Sequence, residues 1–76
     1  MSLADRAYEI LNRKGVPLHC EVLMECILEH YSEEFRARNW HSVNKEINTE
    51  IREQGRAARF YKEEPGYVVQ LAKWSN

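Results

Sequence analysis

The side chains best suited to metal binding or nucleophilic chemistry are two histidines and two cysteines in the first half of the chain. His19 and Cys20 are adjacent, and Cys26 precedes His30 by four positions. Structural zinc sites usually take cysteines from a knuckle with about two to four residues between them, and this pair is further apart. A cysteine beside a histidine does not by itself make a catalytic dyad. We therefore expect no catalytic residue, no metal ligand and no cofactor, and assign His19 to a turn and Cys26 to the core.

A second set of residues, in the C-terminal half, has the chemistry of nucleic-acid recognition. Arginine and lysine donate to guanine or phosphate, asparagine pairs with adenine, and threonine serves base edges or phosphate. Residues 36–62 carry a net charge of +4, whereas residues 1–35 carry −4. Such an asymmetry favours an anionic partner for the later segment. The candidate DNA-binding residues are Lys45, Asn48, Thr49, Arg52, Arg56, Arg59 and Lys62.

Length and composition predict a single domain. The chain has 76 residues, of which 43% are hydrophobic and 30% charged, which is typical of a soluble globule near the lower size limit for independent folding. Its apolar runs are at most three residues long, so we expect no membrane segment, no membrane partner and a cytoplasmic location. A domain this small has little room for a deep pocket, so no small-molecule substrate is expected. The oligomeric state stays open.

The spacing of apolar residues predicts three helices. The first begins with Ser2 as its cap and ends at Gly15. The second spans about residues 21–31, and an irregular stretch follows it. The third spans about residues 42–55, with Ser42 as its cap. Its apolar positions repeat every four residues, which places Lys45, Asn48, Thr49 and Arg52 on the opposite, solvent side.

The second helix carries apolar residues on more than one face. The side expected in the core holds Val22, Leu23, Cys26 and Ile27. Met24, Leu28 and Tyr31 then need other cover. Phe35 and Trp40, from the stretch after the helix, are one source of it, and a second protein chain is the other.

Two β-prone runs, residues 59–62 and 67–71, close the chain as a hairpin around a turn at residues 63–66. Two strands alone are marginal in water, so residues 16–19 are expected to pair with one edge of the hairpin. The side chains predicted to face inward are Phe60, Tyr67, Val69 and Leu71. We expect Trp74 to pack back over the first helix, with an exposed anchor for a partner as the alternative reading.

This order of elements, helix, strand, helix, helix, strand and strand, is that of a winged helix-turn-helix, a mainly α fold with a small β-sheet. Residues 4–19, ADRAYEILNRKGVPLH, and residues 50–71, EIREQGRAARFYKEEPGYVVQL, resemble the HARE-type helix-turn-helix family. Members combine an A-x-x-x-L-like helix, a G-x-P-L/M-H/N turn and a closing G…S/G-R-F…G-x-x-x-L. The resemblance rests on Gly15, Pro17, Leu18, His19, Gly55, Arg59, Phe60, Gly66 and Leu71. Ala58 departs from the pattern, and so does the RNWHS lead into the third helix.

The HARE-type family includes domains attached to restriction enzymes and chromatin regulators, and the N-terminal domain of the bacterial RNA polymerase delta subunit. The resemblance implies a non-catalytic DNA-binding module of a regulatory, transcription-associated or restriction-associated system, and not an enzyme. In such a module the third helix approaches the DNA groove, and the base of the hairpin, residues 56–62, approaches the phosphate backbone. Glu63 and Glu64 at the hairpin tip repel phosphate.

Two other interpretations of the same residues stay open. The polar side of the third helix, with Glu46, Glu50 and Glu53 beside it, has the composition of an ordinary solvated helix face. The chain can also be an adaptor that docks on RNA polymerase or another protein without touching DNA. In that case the possible protein contacts are Met24, Leu28 and Trp74.

Overall fold

Three α-helices and a three-stranded antiparallel sheet make up the described part of this computed structural model, which covers residues 2–62 and 66–75. The helices are α1 (Leu3–Lys14), α2 (Cys20–Phe35) and α3 (Trp40–Gln54), and the strands are β1 (Leu18–His19), β2 (Phe60–Lys62) and β3 (Val68–Leu71). Short 3-10 helices span Gly55–Ala57 and Ala72–Ser75. The predicted fold class is confirmed: a mainly helical chain with a small sheet, in the element order of a winged helix.

The sheet has the order β1-β3-β2, with β3 in the centre. Leu18 pairs with Val69 across β1 and β3, and Phe60 pairs with Leu71 across β2 and β3. The predicted pairing of residues 16–19 with the hairpin is therefore confirmed for Leu18 and His19, and it protects the edge of β3 that the hairpin alone leaves open. The predicted turn lies largely outside the described residues, and so does the acidic tip of Glu63 and Glu64.

Both predicted ends of α1 are confirmed, with Ser2 as the N-cap and Gly15 as the C-cap. Ser2 Oγ accepts a hydrogen bond from the backbone N–H of Asp5 at 3.1 Å, and the Asp5 carboxylate accepts one from the N–H of Ser2 at 3.3 Å. This reciprocal capping box satisfies amides that the helix itself cannot pair. At the other end Gly15 adopts φ 75°, and its N–H donates to the carbonyl of Leu11. Glycine reverses the chain there without the steric cost of a side chain.

Helix α2 is longer than predicted, because it begins at Cys20 and continues to Phe35. His19, which was assigned to the turn before this helix, is its cap: its Nδ1 accepts the N–H of Glu21 at 3.0 Å. Tyr31 breaks the helical geometry, with φ −136° and ψ 38°. Its hydroxyl donates to Glu9 of α1 at 2.7 Å, and the helix continues beyond the kink to Phe35, which is buried.

The buried face of α2 agrees with the prediction at Leu23, Cys26 and Ile27, but not at Val22. Met24 is buried, at 3% exposure, whereas Val22 is 40% exposed. Val22 lies about 140° around the axis from the fully buried Ile27, on the solvent side. Phe35 is buried and Trp40 packs against the core, and Met24 is covered within the chain itself.

Helix α3 begins at Trp40, two residues before the predicted cap. Asn39 is the observed cap, and its Oδ1 accepts the N–H of His41 at 3.0 Å. Asparagine and serine cap helices about equally well, so residue types alone did not decide between Asn39 and Ser42. The predicted end at Gly55 is confirmed, with φ 54° at that residue.

The inward face of the sheet holds Phe60, Val69 and Leu71, all buried as predicted. Tyr67 was predicted to join them but is 45% exposed. It precedes the first residue of β3, so the alternation that turns Val69 and Leu71 inward does not extend to it. Trp74 is partly buried against the core. Across the described ranges, none of the helices is both long and apolar enough to cross a membrane.

The cap at Gly15 leads to a testable prediction for stability. A Cβ at this position meets nothing within 4 Å, so Gly15→Ala costs only backbone strain, about 1–2 kcal/mol of unfolding free energy. Gly15→Asn is the matched control, because asparagine tolerates positive φ better than alanine and loses less. Urea unfolding followed by circular dichroism measures both variants. Equal stability of wild type and Gly15→Ala contradicts the assignment.

Candidate nucleic-acid interface

The solvent side of α3 presents one continuous row of polar and basic side chains. His41, Lys45, Asn48 and Arg52 are spaced by four, three and four residues, which places them along one side of the helix, and all four are exposed. Val43 and Ile47 are fully buried on the opposite side. We call these four residues the outer row. It contains three of the predicted DNA-binding residues, and adds His41, which the sequence analysis missed although it lies one turn before Lys45.

The base of the hairpin lies against the outer row. Lys62 Nζ donates to Asn44 Oδ1 and, at 2.9 Å, to Asn48 Oδ1. These bonds bring Lys62, predicted to contact the DNA backbone, beside Asn48, which is predicted to contact a base. They also occupy one acceptor of Asn48. An asparagine pairs with adenine through both its oxygen and its amide group, so a base and Lys62 compete for that oxygen.

The remaining predicted residues of this segment differ in their surroundings. Thr49 is partly buried, and its hydroxyl donates to the carbonyl of Lys45 at 2.9 Å. The donor of Thr49 is thus used within the helix, and its oxygen remains an acceptor. Arg56 lies exposed in the 3-10 helix that follows α3.

Arg59 contacts Asp5 of α1 and Glu50 of α3, and we call these three residues the clamp. The Nε and NH2 of Arg59 donate to the two carboxylate oxygens of Glu50 at 3.0 and 2.6 Å, and its NH1 donates to Asp5 at 3.0 Å. The backbone N–H of Arg59 also donates to Glu50, at 2.9 Å. A bidentate pair of this kind fixes geometry as well as charge. The geometry gives Arg59 a structural role, and its contact with phosphate stays a prediction.

Hydrogen bonds within the clamp change the pKa values of its three side chains. Hydrogen bonding to Glu50 raises the pKa of the Arg59 guanidinium, which is charged at any working pH. Hydrogen bonds from Arg59 hold the pKa of Glu50 and the pKa of Asp5 below their usual values. Both carboxylates are therefore ionised and paired at neutral pH.

The acidic residues of α3 lie to one side of the outer row. Glu46 accepts a hydrogen bond from the N–H of Ala4 at 3.2 Å and pairs with Arg38 at 2.8 Å, and Glu50 belongs to the clamp. Glu46 faces α1 and the segment before α3, and Glu50 faces Arg59. Glu53 is exposed on the same side of the helix as Glu46. Two of the three carboxylates that weigh against DNA in the sequence thus have cationic partners within the fold.

A groove of about 750 Å³ runs along this acidic side of α3. Its lining mixes both signs of charge, and it includes the paired side chains of Arg38, Glu46, Glu50 and Arg59. Because these charges neutralise one another, the groove offers no clear selection for an anion or a cation.

The apolar residues predicted for protein contact are mostly covered. Met24 is buried, and Leu28 and Trp74 are partly buried against the core. No family model, curated protein or solved structure matches the chain. The HARE likeness therefore stays a resemblance of motifs, and the proposed function depends on the chemistry of the exposed outer row.

The clamp predicts a large difference between two arginines only three residues apart. Arg59→Ala removes hydrogen bonds to two carboxylates, so we expect a loss of about 1–3 kcal/mol in the free energy of unfolding. Arg56→Ala, at an exposed position, should change it by less than about 0.5 kcal/mol. Chemical denaturation measures both, and equal effects contradict the clamp.

The same clamp predicts how stability depends on pH. The pKa values of Glu50 and Asp5 are lower in the folded chain than in the unfolded chain, so their contribution is present above the ordinary carboxyl pKa of about 4. It is lost as the pH falls through the lowered native values. We expect the stability of Arg59→Ala to fall less steeply below about pH 4 than that of Arg56→Ala. Parallel acid profiles for the two variants contradict this linkage.

Proposed function

We propose that the chain is a non-catalytic DNA-binding module, a winged helix-turn-helix of the HARE type, with α3 toward the groove and the hairpin base toward the phosphate backbone. One observation carries the proposal: the outer row is exposed and joined by Lys62, while Glu46 and Glu50 are turned aside and paired with Arg38 and Arg59. The surface that meets DNA is therefore more positive than the composition of α3 suggests.

The strength of binding follows from the number of cations on this surface. Lys45, Arg52, Arg56 and Lys62 are placed to meet phosphate or base edges, whereas the chain as a whole carries a net charge of −1. About four phosphate contacts give a logarithmic salt slope of about −3 to −4, which is modest. We infer sequence-independent or weakly specific binding that needs one orientation of the protein, since its acidic first half repels DNA.

This function places the chain in the cytoplasm, associated with the nucleoid, in a regulatory, transcription-associated or restriction-associated system. Docking on RNA polymerase or another protein is the second candidate. It is less well supported, because Met24 is buried and the other two proposed contacts, Leu28 and Trp74, pack against the core.

Titration of fluorescent duplex DNA at low salt tests the proposal. We expect Lys45→Ala with Arg52→Ala to weaken binding at least tenfold and to reduce the salt slope by about 2, since two phosphate or base contacts are lost. The matched control is Arg13→Ala with Lys14→Ala, which removes the same charge from exposed positions at the end of α1. The control variant should bind nearly as well as wild type.

Two results oppose the proposal. If both double variants weaken binding equally, the contact is diffuse and α3 has no special role. If wild type binds no duplex at low salt but captures a protein partner, the docking candidate replaces DNA binding.

A further inference from the structure

Four aromatic rings meet at the N-terminal end of the outer row. The imidazole of His41 stacks on Trp40, with ring centroids 3.8 Å apart and planes inclined by 27°. Tyr67 meets the same indole edge-on at 5.1 Å, and His19 contacts both Trp40 and Tyr67, at 5.7 and 5.8 Å. We call this group the aromatic cluster. It joins the start of α3 to β1 and to the segment that enters β3.

The cluster exposes two rings that its interior holds in place. Trp40 is partly buried and packs against the core, whereas His41 and Tyr67 are exposed, the latter at 45%. Exposed aromatic side chains that are already ordered lose little conformational entropy when a ligand packs on them. The hydrophobic core does not need Tyr67, because Val69 and Leu71 fill the inner face of the sheet.

Cations lie next to these rings. Lys62 Nζ is 5.5 Å from the centre of the Tyr67 ring, and Lys45 follows His41 by one helical turn. Aromatic faces beside a track of positive charge are the combination that binds single-stranded nucleic acid, where bases stack on rings and the backbone follows the cations. A nucleotide carries both a flat base and a negative charge, and this surface has a partner for each.

We propose that His41 and Tyr67 stack an unpaired base, so that the chain binds a duplex with a single-stranded extension more tightly than a blunt duplex. The inference rests on the proposed function, because α3 must first meet the duplex for the cluster to reach bases beside it. In helix-turn-helix complexes the N-terminal residues of the recognition helix lie closest to the base edges, and the cluster lies at that end of α3. The outer row then holds the duplex and the aromatic cluster holds the unpaired end.

The test compares a blunt duplex, the same duplex with a short extension, and the extension alone. The extension carries 2-aminopurine, whose fluorescence falls when it stacks on an aromatic ring. Tyr67→Ala and His41→Ala are the test variants. Tyr61→Ala is the matched control, because Tyr61 lies on β2 with the same 45% exposure and forms no part of the cluster. Tyr67→Phe retains the ring and checks that any loss comes from the aromatic face.

We expect the extended duplex to bind more tightly than the blunt one, with quenching of the probe. Tyr67→Ala and His41→Ala should each lose about 5- to 150-fold in affinity for the extended duplex, the range that alanine substitution gives for a stacked base. Tyr61→Ala and Tyr67→Phe should keep the preference. Equal affinity of wild type for both duplexes overturns the inference, as does an equal loss for Tyr61→Ala.

The outcomes separate this inference from the proposed function. Blunt-duplex binding that depends on Lys45 and Arg52, without any gain from the extension, leaves the function intact and removes the inference. Binding of the extension alone, dependent on Tyr67 but not on Lys45 or Arg52, retains the stacking site and removes the duplex-binding role. Binding to a protein through the aromatic cluster, with no nucleic acid bound, removes both.

Discussion

One arginine links α1, α3 and the start of the hairpin in this small domain. Arg59 lies just before β2, donates to Glu50 of α3 and reaches Asp5 in the first turn of α1. It therefore ties both helices to the strand that begins the hairpin. Asp5 also completes the capping box of α1, so one carboxylate serves a helix end and the clamp together. A chain with little core to bury benefits from polar contacts that connect its elements.

The clamp also shapes the surface charge, because it pairs the negative charge of Glu50 on α3 with the cation of Arg59. Glu50 is paired with Arg59, and Glu46 is paired with Arg38 and with the N-terminus of α1. These contacts hold the acidic side of α3 next to α1 and leave the outer row to solvent. The same bonds thus connect the helices and keep the carboxylates of Glu46 and Glu50 away from the outer row. The proposed approach of DNA depends on both effects.

Local sequence signals predicted both ends of α1 and the C-terminal end of α3, because caps and glycines act within a few residues. Ser2, Gly15 and Gly55 lie where expected. The predicted start of α3 was wrong because Asn39 and Ser42 are equally good caps, whereas the other errors concern contacts between distant residues. Tyr31, where α2 is kinked, donates a hydrogen bond to Glu9 of α1, and Met24 is buried although its position suggested that it needed other cover. For the site, periodicity placed Lys45, Asn48 and Arg52 together, but nothing local showed that Arg59 is paired with residues nine and fifty-four positions away. The family resemblance identified Arg59 as a motif residue, but it did not predict that Arg59 pairs with Glu50 and Asp5.

The central claim is that the outer row, with Lys62 beside it, is the surface that meets DNA. Backbone amide chemical shifts of the labelled protein, followed during addition of duplex DNA, locate that surface residue by residue. The account predicts that the largest changes fall at His41, Lys45, Asn48, Arg52 and Lys62, with little change along the exposed side of α2. Changes confined to α2 or to the outer face of the sheet around Tyr61 and Val68, or no change at low salt, would contradict it.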